Sequence, residues 1–488
     1  MTKLRAGLAR IAAGLLLATV VAAPASGGAA ARKDAVRWEA SDVRVSNPRS
    51  QFRGSEQNMY EPTIAIDPTN PRNVVAFAID LSTQNVDPNV YSTNRYFRST
   101  DGGRTWVDRG GMRWGRGIAG LDGGDPVPVF DKRGTLYFSG LGDPPDSYRF
   151  IYVWRSTDGG RTWAKPVPAY TPERNEETGI CTSADKEWLT VGDQPGELFL
   201  TYTKPTFDCS LAETLTDLAL VGDPRSDIVV DLKRSADGGR TWSAPRRVWD
   251  GYALGATPQM GPDGTLYTAF WASTAVSTVP CPTQGAILPF HGGPFGVIVV
   301  ATSRNDGRTW SYYRHPVCTN FFGTFIKPGE YAGGNFLPAI AVDASTNVAY
   351  LAYPTYRPAE NRFTIDVITS RDRGRTWSPP VEISKSPSEG HLPALQASGG
   401  VARLVYVINR SDGTGDTMYT ESRDRGRTWS PPFTLSSRRA QLEDDPDIGD
   451  YFTLSVAAGR IATIWTDARN GSPTRIYARM GTLSSPRR

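Results

Sequence analysis

The chain has 488 residues, 54 Lys and Arg against 50 Asp and Glu for a formal net charge of +4, and only four cysteines. Most arginines recur singly inside one repeated turn and form no basic stripe, which argues against a nucleic-acid partner. This length could hold two or three average domains, but repeats must be sought first, because repeat folds exceed that size as one unit.

Residues 1–25 carry Lys3, Arg5 and Arg10, an apolar run from Ile11 to Ala23, and Ala23-Pro24-Ala25 as a small-x-small cleavage site. That is the pattern of a secretory signal peptide. The apolar run is shorter than the roughly 20 residues a bilayer span needs. The expected product is therefore secreted, monomeric and free of the membrane. Cleavage removes three positive charges and no negative ones, so the net charge falls from +4 to +1. Residues 26–35 read as a flexible linker and residues 36–488 as the folded body.

Within the body, Val36–Val45 alternates like a strand but belongs to no unit of its own. Strand-like triplets follow: Pro62–Ile66, Val74–Ile79 and Arg95–Arg98, then Pro126–Phe130, Thr135–Ser139 and Phe150–Trp154, then Trp188–Val191, Leu198–Tyr202 and Ile228–Leu232. The fourth unit shows only Leu266–Phe270 and Val297–Ala301. Full triplets return at Ala339–Val342, Ala349–Tyr353 and Phe363–Thr369, and again at Ala394–Gln396, Arg403–Val407 and Met418–Thr420. β-branched and aromatic residues lie between Gly, Pro, Asn and Asp breakers throughout, and no window has a helical period.

Each of these six units ends in one eight-residue phrase: Ser99–Trp106, Ser156–Trp163, Ser235–Trp242, Ser303–Trp310, Ser370–Trp377 and Ser422–Trp429. An Asp at the corner accepts hydrogen bonds from backbone N–H groups further on, and the Gly supplies a positive φ, so the phrase is a self-closing hairpin turn. Asn305 replaces Asp in the fourth copy, so charge is not what the turn requires. The tryptophans are 57, 79, 68, 67 and 52 residues apart, too irregular for a solenoid but suited to blades whose loops vary in length. A last triplet, Phe452–Val456, Ile461–Trp465 and Arg475–Ala478, lacks a fourth strand, and Val36–Val45 can supply it. The expected fold is all-β: one β-propeller of four-stranded antiparallel blades, seven by count and six if a triplet in the fourth unit is misread.

Two local cysteine pairs, Cys181–Cys209 and Cys281–Cys318, are expected as disulfides in an exported chain, each stapling a long insertion. Each would restrict the unfolded loop by roughly 3 kcal/mol. No C-x-x-C spacing or Cys/His pattern points to zinc. X-Pro pairs open several first strands, at Glu61-Pro62, Asp125-Pro126, Thr257-Pro258, Leu337-Pro338 and Leu392-Pro393, as proline is tolerated on an edge facing a central channel.

The S-x-D-x-G-x-x-W phrase resembles the Asp-box, or bacterial neuraminidase repeat, proteins, and the resemblance covers nearly everything after residue 36. Trp465-Thr466-Asp467-Ala468-Arg469-Asn470-Gly471, with Arg475-Ile476-Tyr477, is similar to the last blade of sialidase-like propellers. The resemblance implies a carbohydrate-active propeller. Asp boxes occur also in xyloglucanases, sorting receptors and non-catalytic propellers. Sialidases hold their substrate carboxylate with three arginines, the first of them in Phe/Tyr-Arg-Ile-Pro. Here Met59-Tyr60-Glu61-Pro62 stands at that place, and an acidic side chain there repels a carboxylate sugar.

Ligand sites of propellers form where the loops before the inner strands converge. Those loops hold Glu61, Asp125, Asp185-Lys186-Glu187-Trp188, Asn335, His391 and the run Glu443–Tyr451. Carboxylates from different blades, one neutral and one ionised, are what glycoside cleavage needs. The expected catalytic group is Glu61, Asp125, Asp185, Asp450 and Tyr451, with Lys186, Trp188, Asn335 and His391 contacting the sugar. Tyr451 with Glu443 is also a candidate sialidase-like nucleophile pair. Each carboxylate has a plainer reading, as a loop cap or the partner of a lysine. Glu443–Asp450 can be read as a Ca²⁺ loop, but it lacks the Asp-x-Asp-x-Asp-Gly spacing, so no cofactor is expected. The expected function is a secreted glycoside hydrolase acting on a carbohydrate or glycoconjugate; the alternative is a non-catalytic propeller binding glycan or protein.

Overall fold

The computed structural model describes residues 36–46, 58–81, 92–112, 122–143, 149–210, 227–274, 279, 281, 295–319, 337–442, 448–471 and 473–483. The signal peptide, the linker, Asn335 and Glu443–Asp447 lie outside the described residues. The strands form seven antiparallel sheets, and among the described residues there is no α-helix.

Blade 1 runs from its inner strand Met59–Ile66 through Val74–Asp80 and Thr93–Ser99 to an outer strand, Val107–Gly111. Blades 2 to 6 repeat this, with inner strands Asp122–Phe130, Asp185–Val191, Ala253–Met260, Ala339–Val342 and Glu389–Ser398; blade 7 begins with Leu454–Ala457. Consecutive inner strands touch in a closed cycle, and blade 7 touches blade 1, so the sheets stand radially about one axis. The six-bladed alternative falls because the fourth unit has its first strand, Ala253–Met260. Gly255 and Pro258 had hidden it from a reading of β-propensity.

The ring closes as expected. Arg37–Trp38 and Val43–Arg44 both pair with Arg475–Thr482, completing blade 7. The closing segment is two short strands, not one, because Asp42 is used sideways. Its carboxylate takes Arg469 at 2.7 Å and the Ser437 N–H at 2.8 Å. Burial works against this carboxylate, but the Arg469 and Ser437 hydrogen bonds outweigh it and lower its pKa. Arg469 also binds Asp467 at 2.5 Å and lies 3.7 Å over the Tyr477 ring.

The six turns behave as the phrase predicts. Asp101 Oδ1 accepts the N–H groups of Arg104 and Thr105, both at 3.0 Å, and Oδ2 accepts the Thr105 hydroxyl at 2.6 Å. The Ser99 hydroxyl accepts the Gly103 N–H at 2.8 Å and donates to Asp101. In the fourth copy Asn305 Oδ1 accepts the Thr309 N–H, while its amide donates to the Thr309 hydroxyl, reversing one bond. A second requirement explains the glycine. A Cβ on Gly160 would lie 2.3 Å from the Tyr96 hydroxyl of blade 1, and one on Gly103 would lie 2.5 Å from Met480 of blade 7. The turn is thus also a contact with the preceding blade. Its tryptophan adds to that contact: Trp163 meets the stacked Phe77 and Phe138 rings edge-on.

Strand direction places all these turns at one end of the axis and the starts of the inner strands at the other. The observed disulfides, Cys181–Cys209 and Cys281–Cys318, are the expected pairs. Both bridge connections on the end where the inner strands start.

Candidate functional site at the channel mouth

Five of the seven inner strands begin with a kink. In blades 1, 2, 3, 4 and 6 two residues oppose one on the neighbouring strand: Glu61-Pro62, Asp125-Pro126, Lys186-Glu187, Gly255-Ala256 and Leu392-Pro393. The first residue of each β-bulge has a positive φ, 49° at Glu61, 45° at Asp125, 47° at Lys186, 74° at Gly255 and 49° at Leu392. Counted from the pairing of the inner hairpin, Leu337 in blade 5 and Tyr451 in blade 7 stand at the same place. A non-glycine residue in this conformation costs on the order of 1–3 kcal/mol. The bulge re-aims the side chains that follow it. Thr257-Pro258 proves not to belong to this series; it lies within the strand, after the bulge at Gly255.

Three of these residues meet. Lys186 Nζ lies 3.2 Å from Glu61 Oε1 and 3.5 Å from Asp125 Oδ1, and blade 7 adds Asp450 Oδ2 at 2.5 Å. Backbone donors reinforce the cluster, with the Lys186 N–H 2.9 Å from Asp125 Oδ2 and the Asp450 N–H 3.1 Å from Glu61 Oε1. The Tyr451 hydroxyl donates to Asp125 Oδ1 at 3.3 Å. Its ring packs edge-on against Trp188, with centroids 5.2 Å apart, and lies 5.4 Å under the Lys186 ammonium.

The cluster separates its protonation states. Burial, and then the neighbouring charges of Asp125 and Asp450, hold the Glu61 carboxyl well above the usual range against the pull of Lys186. Burial also opposes ionisation of Asp125, but Lys186, a hydrogen bond from Glu61 and the field of Arg149 lower it below its ordinary value. A neutral Glu61 therefore donates to an ionised Asp125. Burial works against the Lys186 ammonium, yet Asp125, Asp450 and Glu61 raise its pKa well above normal. Burial and the surrounding carboxylates push Tyr451 far up, so its phenol stays protonated.

Glu187 belongs to this group too. It occupies the second bulge position, where blades 1, 2 and 6 carry proline. It is completely buried, and neither carboxyl oxygen is hydrogen-bonded to another residue. Burial, and then Asp125, raise its pKa well above the normal range. The proline at the equivalent positions is the signal that could have singled it out.

Lys186, Glu187, Asp450 and Tyr451 line one wall of a cavity of about 410 Å³, together with Trp188 and, deeper, Thr63, Val127, Thr190 and Gln259; Glu61 and Asp125, held by Lys186, are not among the lining residues. The opposite wall carries Gly255, Leu337 and Leu392. Not every expected residue is here. Asp185 precedes its bulge, lies outside the cavity lining and pairs with Arg149 at 3.0 Å, which makes it a support for the loop. His391 is likewise one residue too early. It is buried against Phe363 of blade 5, ring centroids 5.8 Å apart, with Glu389 at 3.7 Å. Asn335 and Glu443 lie outside the described residues. Among the described residues no cluster is arranged to hold a metal ion, and the stretch considered for Ca²⁺ is described only from Ile448 onward.

Residues 216–443 match a family described as a BNR repeat-like domain. A xyloglucanase from Paenibacillus sp is 30% identical over 329 residues, 64% of this chain but 26% of that protein, so the chain spans about a quarter of its length. Similar solved structures include an α-L-arabinofuranosidase of Fusarium graminearum (15% identity, TM-score 0.47, 92% of this chain and 98% of that one). A Hadza microbial sialidase is another (17% identity, TM-score 0.44, 72% and 63%). With six self-closing Asp-box turns on seven radial blades, and the match over residues 216–443, the chain is a seven-bladed β-propeller that contains a BNR repeat-like region.

Proposed function

We propose that the chain is a secreted glycoside hydrolase acting on neutral sugars at the channel mouth. The observation that carries this is the neutral Glu61 beside the ionised Asp125, both held by Lys186, which lines a cavity where Trp188 offers an aromatic face to a sugar ring. Support comes also from the similar xyloglucanase. The signal-peptide pattern and the two disulfides favour export.

Asp125 is the group suited to accept the proton of a water attacking the anomeric carbon. Glu61 and Tyr451 donate to it and Lys186 balances its charge, which fixes its orientation and keeps it ionised. A protonated Tyr451 is a donor here and not a nucleophile. A sugar carboxylate is disfavoured: among the described residues lining the cavity there is no arginine, and Arg149 is paired with Asp185.

The test is a panel of aryl glycosides of neutral sugars, with the sialoside included. Release from a neutral glycoside, reduced on the order of 10²–10⁴-fold in Asp125→Asn with product binding retained, is the expected result. No release from any member, with sugar binding intact, would leave a non-catalytic glycan-binding propeller.

A further inference from the structure

A hydrolase of this type needs two carboxyl groups on opposite sides of the scissile bond, roughly 5–5.5 Å apart when retaining and 6.5–9.5 Å when inverting. Glu61 and Asp125 share a hydrogen bond and are too close to serve as those two; they act as one unit. A second carboxyl is therefore needed. Asp450 is committed to Lys186 at 2.5 Å, and Asp185 is paired with Arg149 at 3.0 Å. Glu187 remains: it lines the cavity, it is within electrostatic reach of Asp125, Lys186 and Tyr451, and neither oxygen is hydrogen-bonded or ion-paired to another residue. A buried carboxyl without partners is costly, and it persists where a ligand group completes it.

From this geometry we propose that Glu187 is the catalytic acid, which gives its proton to the glycosidic oxygen as the bond to the anomeric carbon breaks. This rests on the hydrolase reading above. The electron pair of the breaking C–O bond goes to the leaving oxygen, which takes the Glu187 proton and departs as an alcohol. Water forms the new bond at the anomeric carbon, and its proton goes to Asp125. One proton leaves the protein and one enters, so transfer of the Asp125 proton back to Glu187 through solvent restores the starting state. The unpartnered oxygens of Glu187 are then the receptor for the glycosidic oxygen, which makes the substrate class an O-glycoside whose leaving group needs protonation.

The experiment compares the wild type with Glu187→Gln on two substrates of the same sugar: a dinitrophenyl glycoside, whose leaving group departs as an anion, and an alkyl glycoside or oligosaccharide. The expected result is a loss on the order of 10²–10⁴-fold on the second substrate with a loss under about tenfold on the first. The alkaline limb of the pH profile should disappear with it. Both substrates are read on one preparation, so a folding defect lowers both rates equally and the ratio between them carries the result. A ratio unchanged from the wild type overturns the role of Glu187 while leaving the hydrolase reading in place. A wild type that cleaves neither substrate, nor any other glycoside, overturns both.

Discussion

Asp125 receives both ends of Lys186: the backbone N–H lies 2.9 Å from one carboxylate oxygen and the ammonium 3.5 Å from the other. The bulge makes this grip possible, because the positive φ at Lys186 turns its amide and its side chain toward the same neighbour. The ammonium then reaches Glu61 and Asp450 as well, so one cation holds blades 1, 2 and 7 to blade 3.

Lys186→Met should destabilise the chain by about 3–5 kcal/mol at neutral pH, since it strands buried carboxylates without their cation. Without the ammonium these carboxyls have pKa values above those of the unfolded chain, so the folded state binds more protons. Stability of the variant should be retained at low pH and fall as pH rises. Urea melts from pH 4 to 8 measure this, and a variant that melts like the wild type at every pH contradicts it.

The Asp-box turns give the opposite sign. Asp101, Asp158 and Asp237 are held at about 2; slight burial opposes this, but hydrogen bonds from Thr, Ser and backbone N–H groups win. An unfolded Asp titrates near about 3.9. Their contribution is therefore complete above about pH 4 and is lost as pH falls toward 2. The triple variant with Asn at these positions should show a flatter decline of melting temperature between pH 4 and 2, as the Asn305 turn has no charge to lose.

Gly160→Ala should cost more than Gly264→Ala. Both glycines have positive φ, 84° and 75°, so each pays about 1–2 kcal/mol for the backbone alone. Only at Gly160 does the new Cβ meet an atom of another blade, Tyr96 Oη at 2.3 Å, whereas nothing lies within 4 Å at Gly264. A further ~1–3 kcal/mol is expected at Gly160 from displaced packing, read as the difference between the two denaturation midpoints.

Asp42→Ala should loosen the ring closure. Arg469 keeps Asp467 but loses one of its two carboxylates, and the Ser437 N–H loses its acceptor. A loss of about 2–3 kcal/mol is expected. Hydrogen exchange should rise first in Arg37–Trp38 and Val43–Arg44; uniform exchange across all blades would contradict a local clamp.

Much of this architecture could be read from residues alone. The turns recur with their own hydrogen-bonding logic, the cysteines pair locally, and the unmatched last triplet calls for the early segment. The convergence of Glu61, Asp125, Lys186, Asp450, Tyr451 and Trp188 was legible because each stands just before or at the start of an inner strand. Asp185 and His391 show what was hidden. They precede the bulge by one residue, and two residues opposing one shift the alternation that decides which side chains face the axis. Nothing in hydropathy reveals that shift. Glu187 was obscured for the same reason, since its place beside Asp125 depends on the kink and not on its neighbours in the chain.

One position at the start of the inner strands, kinked in five of the blades, carries a glutamate, an aspartate, a lysine, a bare glycine, two leucines and a tyrosine in turn around the axis. The scaffold thus works like the rim of a dial, in which chemistry is set by the letter at a single notch while the fastenings at the far end stay as they are. Moving the charged letters round by one notch would swing the reactive wall to face different loops, and hence a different cargo, without disturbing a single turn.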